Sequence, residues 1–133
     1  MAKTYKPPFA QNQLVSPVSI STANTVRDGS SGTIAQLYTT PADGARIAYI
    51  RAVAVGTTTA GMIRVFFSTT SGGTKFLIGE ISVSAVTPSA SVPVWNGELL
   101  FTEPLLMKQN YTLHVSTHNA ETFHVFAVGA EYA

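Results

Sequence analysis

Three histidines are the residues of this chain whose spacing comes closest to a site of chemistry: His114, His118 and His124. They flank Asn119–Glu121, which we interpret as the three-residue loop of a hairpin. This loop length puts the apolar residues of both strands on one inner face, and strand register follows such a pattern because a one-residue slip reverses every side chain. The sequence therefore predicts that the three imidazoles lie together on the outer face.

Such a cluster has three interpretations. Neutral imidazoles bind zinc, protonation near pH 6 would let the cluster sense acidification at a subunit contact, and surface or interface histidines need have no special chemistry. The run His114-x3-His118-x2-Glu121 resembles the metal motif of cupins only superficially, because cupins separate their two histidines by one residue. We favour ordinary surface or interface histidines, and we predict no metal and no other cofactor.

Other catalytic patterns are absent from the sequence. No serine lies in a Gly-x-Ser-x-Gly elbow, and Gly72-Gly73 lacks the following lysine or helix start of a phosphate-binding loop. The glutamates at 80, 98, 103 and 121 form no recognisable pair for glycoside hydrolysis. We therefore predict no catalytic residue and a function other than an enzyme's.

Composition narrows the function further. The 133 residues are enough for one domain with its own core, but only 11% are charged, against about a quarter in average proteins. Few charges and many Ser and Thr suit a surface that neighbouring subunits cover, because burying hydroxyls costs less than burying charges. The net charge is +1 with scattered Lys and Arg, which disfavours nucleic-acid binding. No apolar run reaches the length of a membrane span or of a signal peptide, and the lack of Cys fits a reducing cytoplasm.

Strand-like segments that are separated by turn residues follow one another from Thr33 to Glu131. They predict an all-β fold, an antiparallel β-sandwich that we interpret as a jelly roll of about eight strands. Asn96-Gly97 predicts a two-residue hairpin. The predicted strands are Thr33–Thr39, Arg46–Val55, Met62–Ser68, Lys75–Val86, Ser91–Trp95, Glu98–Phe101, Tyr111–Thr117 and Thr122–Glu131.

The hydrophobic pattern also predicts which strand faces are buried. In Tyr111–Thr117, the residues Thr112, His114 and Ser116 alternate with apolar ones and are expected to face outward. By contrast, 47–55 and 123–128 are apolar on both faces, so we expect a loop, the N-terminal segment or another subunit to cover their second side.

The first 32 residues differ from the rest in composition. We assign residues 1–32 to an extended N-terminal arm that includes a short strand at 18–22 and a flexible joint at 27–32, and residues 33–133 to the sandwich domain. The arm holds too many apolar side chains for a freely solvated tail, so we expect it to lie along its own domain or a neighbour's. Its predicted partner contacts are Tyr5, Pro7, Pro8, Phe9, Leu14 and Val18.

In overall character, the region from Thr33 to Tyr132 resembles the small jelly-roll virion proteins of tailed bacteriophages, the head decoration or auxiliary capsid class. The segments that carry the resemblance are Ile50–Gly56, Pro93–Glu98 and Ser116–Phe123. The resemblance implies a non-enzymatic protein made in the host bacterial cytoplasm and incorporated into the virion. Such a protein binds the major capsid protein or other virion subunits, often as a trimer, and stabilises the shell.

The alternative function is a carbohydrate- or receptor-binding β-sandwich, either a tail or baseplate component or a secreted module. Trp95, Tyr38, Tyr49 and Tyr111 are the side chains that would stack on a sugar, although core packing is the interpretation that we favour for most of them.

Overall fold

The computed structural model describes residues 10–70 and 72–132, which form two four-stranded antiparallel sheets. Sheet A has the order β1-β8-β3-β6 and sheet B the order β2-β7-β4-β5. None of the described residues forms a helix that is long and apolar enough to span a membrane. The strands are β1 Ala10–Ile20, β2 Ala35–Thr39, β3 Ala45–Ala54, β4 Gly61–Ser68, β5 Phe76–Val83, β6 Asn96–Met107, β7 Thr112–Thr117 and β8 Phe123–Tyr132.

This strand order is that of a jelly roll, which confirms the predicted fold class. Every connection except β4–β5 passes from one sheet to the other. The inner faces of the two sheets share one apolar core, in which Ile47 and Ile50 of β3 pack with residues such as Val65 of β4 and Val115 of β7. The alternation of buried and exposed residues along β3 and β8 follows from the pleat of the strands.

The predicted hairpin at Asn96-Gly97 is wrong, because both residues belong to the start of the single long strand β6. The glycine is needed for space and not for a turn. A Cβ at position 97 would lie 2.7 Å from Ile81 Cγ2 and 2.7 Å from Trp95 Cζ2. Gly97 therefore lets the Trp95 indole pack against the strand, and residues 91–95 precede β6 without forming the predicted strand.

The N-terminal region, which was expected to form an extended arm with a short strand at 18–22, contributes a full strand to the sandwich. Residues 10–20 form β1, the edge strand of sheet A, in antiparallel register with β8 from Ala10↔Tyr132 to Ile20↔Phe123. The connection to β2, residues 21–34, crosses to sheet B; we call it the cover segment. It includes the predicted flexible joint, where Asp28 Oδ1 accepts hydrogen bonds from the Ser30 amide at 3.0 Å and from its hydroxyl at 2.6 Å.

Candidate interaction surfaces

The predicted histidine cluster is not formed. β7 and β8 lie in different sheets, so the segment between them is a crossover and not a hairpin loop. His114 is buried on the outer side of sheet B, His124 is exposed on the outer side of sheet A, and His118 lies at the end of β7 beside β4. The hydrophobic pattern identified the faces of both strands correctly but could not show that they pair with other partners.

His114 is held within the fold by its neighbours on β7 and β4. Its Nε2 lies 2.9 Å from the hydroxyl of Thr112, and His114 pairs with Phe66 of β4. Burial, together with the positive charge of Lys75, lowers the pKa of His114. No group of three His, Cys, Asp or Glu side chains within residues 10–70 and 72–132 is arranged to hold a metal ion.

The middle of the outer side of sheet B, on β7 and β4, is buried where the cover segment crosses it, and we call it the covered face. Thr112, His114 and Ser116 were expected to face outward into solvent, but all three are buried. Phe66 lies beside them and is fully buried. A Cβ at Gly29, which has a φ of +78°, would lie 3.1 Å from Phe66 Cδ1, so the cover segment approaches this ring closely.

Asn24 organises the cover segment with both its backbone and its side chain. Its amide nitrogen Nδ2 donates to the carbonyls of Ser31 and Thr33, each at 3.1 Å, and its Oδ1 accepts from the Val26 amide at 2.9 Å. Its backbone N–H donates to Thr117 O at 2.8 Å, which fixes the segment to β7. A buried amide that satisfies its donors and its acceptor in this way stabilises one loop conformation.

Arg64 of β4 connects sheet B to the cover segment through hydrogen bonds. This side chain is 2% exposed and donates through Nη1 to Asn24 O at 3.1 Å, through Nε to Glu80 Oε2 at 3.0 Å, and through Nη2 to His118 Nδ1 at 3.1 Å. Arg27 of the cover segment donates to the same Glu80 oxygen at 2.9 Å. The hydrogen bond from Arg27 and the two positive charges lower the pKa of Glu80.

The predicted partner contacts of the arm divide into two groups. Tyr5, Pro7, Pro8 and Phe9 lie outside the described residues. Leu14 and Val18 face inward from β1 and pack on the core of their own sandwich, so their assignment to a partner surface is corrected. Apolar side chains of β1 do reach the surface, but at the intervening positions Val15 and Pro17.

The outer side of sheet A carries a contiguous apolar surface that no described residue of the chain covers, and we call it the open face. Residues that are paired directly across a sheet share a face, and the register places one apolar row across all four strands: Val15, Val128, Tyr49 and Leu100. Two further rows flank it. They consist of Gln13, Ala130, Arg46 and Leu106 on one side and of Pro17, Phe126, Arg51 and Glu98 on the other.

Exposure on the open face is high at its edges. Val15 is 54% exposed, Leu100 68% and Leu106 66%. Arg51 and Glu98 form an ion pair across the surface at 3.5 Å. A shallow hollow of about 330 Å³ lies between β1 and β8 and includes Pro17 and Phe126. A larger groove of about 690 Å³ adjoins the end of this face, where Leu106 and Tyr132 meet the turns at 42–44 and 108–109.

The aromatic residues proposed for sugar stacking do not form one platform. Trp95 is buried and packs edge-to-face on Phe123, with ring centroids 5.7 Å apart. The hydroxyl of buried Tyr38 donates to Glu131 at 2.6 Å, and Tyr111 packs edge-to-face on Phe67. Tyr49 alone of the four lies on the open face.

Comparison with known proteins supports the fold class. The chain is similar to the solved structure of Eiger TNF from S. frugiperda, with a TM-score of 0.52 and 7% sequence identity over 92% of this chain and 96% of that chain. No protein-family model and no curated protein matches the sequence. At 7% identity the similarity shows a shared jelly-roll β-sandwich, and it shows nothing about function.

Proposed function

We propose that this protein is a non-enzymatic structural protein of a bacteriophage virion, and specifically a decoration protein that binds the head shell. The observation that carries the proposal is the open face. Contiguous exposed apolar surface on a small protein marks a site of protein–protein interaction, and Val15, Leu100 and Leu106 are each more than half exposed there. The resemblance of the sequence to small jelly-roll virion proteins supplies the virion context.

The composition supports the same proposal. Only 11% of the residues are charged, and Thr, Ser and small apolar residues can be buried against a neighbouring subunit at low cost. We expect the protein to form a homo-oligomer and to contact the major capsid protein or another virion subunit. We expect no nucleic-acid or membrane partner.

The proposal is tested by fractionating a lysate of phage-producing source cells on a density gradient and quantifying this chain by mass spectrometry. We expect the chain to sediment with complete particles, in many copies per particle. A variant with Leu100→Lys on the open face should be depleted from that fraction, whereas Phe76→Lys, which alters a 55% exposed residue of sheet B, should be retained. Recovery of the natural chain only among free proteins would contradict the proposal.

The alternative is a carbohydrate- or receptor-binding module, and it has weaker support. Sugar stacking needs an exposed aromatic face, and Trp95, on which this alternative depended, is buried. Tyr49 and Phe126 are the aromatic side chains of the open face, so glycan-array binding that is lost on Tyr49→Ala would favour the alternative over the virion role.

A further inference from the structure

The open face has the size that a stable protein contact requires. The strands of sheet A contain 10 to 12 residues. Strand spacing of about 4.8 Å and a rise of about 3.3 Å per residue give a face of roughly 600 Å². Two such faces together reach roughly 1,200 Å², the lower end of the range for specific, stable interfaces. A partner with a complementary flat sheet would therefore cover the face completely.

Charge on the open face is divided between its two halves. In the paired rows, the groups charged at neutral pH are Arg46 and Arg51 on β3 and Glu98 on β6. The other half, formed by β1 and β8, presents Val15, Pro17, Phe126 and Val128 in these rows and no Asp, Glu, Lys or Arg. One half is thus a suitable surface for the other to pack against, because each charged residue would lie directly opposite an uncharged one.

We infer that the open face joins two copies of this chain in a face-to-face contact, with a two-fold axis that runs parallel to the strands between β8 and β3. This inference rests on the proposed function as an assembling protein: the open face joins two copies of the chain, and the resulting pair binds the shell through its other surfaces. The axis lays β6 of one copy on β1 of the other, and β3 on β8. Facing sheets in sandwiches keep their strand directions within about 30° of each other, so the contact would follow ordinary aligned sheet packing.

The side chains that this axis brings together are complementary. Leu100 of one copy faces Val15 of the other, and Tyr49 faces Val128. The central apolar row of one copy therefore packs on the same row of the other copy, which runs in the opposite order. Arg51 faces the ring of Phe126, which is an arrangement suited to a cation–π contact. A two-fold axis that ran across the strands would instead lay Arg46 on Arg51 of the second copy, and the like charges would oppose the contact.

An isologous contact of this kind joins subunits in pairs. The copy number of the assembly is therefore even. A trimer of the type implied by the virion resemblance would satisfy the inference only as two trimers that meet through their open faces.

The test is the solution mass of the full-length protein by light scattering over a range of concentrations. We expect a dimer or another even-numbered oligomer. Leu100→Lys and Val15→Glu should each raise the dissociation constant by at least roughly 100-fold, because each places an unpaired charge in the contact. Phe76→Lys is the matched control, since it introduces a lysine at a similarly exposed position in the other sheet, and it should leave the mass unchanged.

The double variant Val15→Glu with Leu100→Lys decides the axis. Only when residue 15 faces residue 100 of the second copy does the new carboxylate meet the new ammonium, so association should return to within about tenfold of the natural protein. Circular dichroism and the melting temperature verify that each variant is folded.

Three results would overturn the inference: a monomer at every concentration, an odd-numbered oligomer, or an even-numbered oligomer that is insensitive to both single variants. In any of these cases the chain could still sediment with particles by binding the shell, which separates the failure of this inference from that of the proposed function. Failure of the double variant to restore association would overturn the proposed axis.

Discussion

The outer faces of the two sheets both carry apolar side chains, but among the described residues a covering segment lies only over the outer face of sheet B. On sheet B, the cover segment lies over Phe66, His114 and their neighbours, and Asn24 and Arg64 hold it there with a network of hydrogen bonds. On sheet A, the row from Val15 to Leu100 is apolar, yet no described residue of the chain lies over it. The protein therefore covers the face that carries buried polar groups and leaves exposed the face that is more apolar.

The covered face and the open face differ in the groups that a covering partner has to satisfy. The covered face contains groups with demanding hydrogen-bond geometry, which a covalently connected segment can satisfy at a high effective concentration. The open face needs only apolar area and a few charged partners, which a separate molecule can supply. Changes on the covered face should therefore affect folding, and changes on the open face should affect association.

The largest expected effect comes from removal of residues 1–26, which contain β1 and the first half of the cover segment. In the sequence-based domain assignment, these residues belonged to an arm and the sandwich domain began at residue 33. From the structure we expect the loss of cooperative folding, because Leu14 and Ile20 are part of the core and Asn24 binds Arg64. Thermal unfolding followed by circular dichroism measures the effect.

A chain that begins at Ala10 keeps all of β1 and is the matched control for that deletion. It should unfold cooperatively. If the shorter chain that lacks residues 1–26 unfolds with the same midpoint, β1 and the cover segment contribute little to stability and the contrast between the two faces is lost.

Replacing one arginine on each outer face compares the stability that the covered face and the open face contribute. Arg64→Met should reduce the free energy of unfolding by about 3–5 kcal/mol, because it removes the buried partner of Glu80, His118 and the Asn24 carbonyl. Arg51→Met on the open face removes an exposed ion pair and should cost about 0–1 kcal/mol. Urea denaturation of both variants measures the difference, and equal losses would contradict it.

The smallest expected effect is a dependence of the covered face on pH. Because the folded state lowers the pKa of Glu80, the charged carboxylate stabilises the fold above the ordinary glutamate pKa of about 4.5, and this contribution is lost as the pH falls through the lowered folded-state value. Glu80→Gln should therefore be less stable than the natural protein at pH 7, with a difference that shrinks on acidification. A difference that is constant between pH 7 and pH 3 would exclude this role of Glu80.

The sequence predicted the fold class and five strands well. β2, β3, β4, β7 and β8 begin and end within about two residues of the predicted limits, because each is a β-branched or aromatic run between turn residues. Only Glu98–Phe101 of β6 was predicted, because Asn-Gly was interpreted as a turn but also occurs where a glycine is needed for close packing. Only the contacts of Gly97 with Trp95 and Ile81 distinguish the two cases.

The surfaces were harder to predict than the strands, because burial of an outer face depends on what lies over it. Thr112, His114 and Ser116 alternate with apolar residues and were expected to face solvent, but all three are buried on a face that the cover segment crosses. The strands that are apolar on both sides, β3 and β8, form the middle of the open face. The pattern along one strand contains no information about a distant segment such as 21–34.

The pairing of β1 with β8 has a consequence for the time course of folding. Ala10 of β1 pairs with Tyr132 of β8, so β1 can complete its pairing only after β8 has been synthesised. The cover segment likewise can bind to β7 only after that strand has been synthesised, because the Asn24 N–H donates a hydrogen bond to Thr117 O. Contacts between such distant parts of a chain slow folding to milliseconds or longer, and during translation the growing chain exposes both outer faces at once. The sandwich can therefore complete its fold only after β8 has been synthesised, and its folding rate should be sensitive to any delay in the synthesis of that strand.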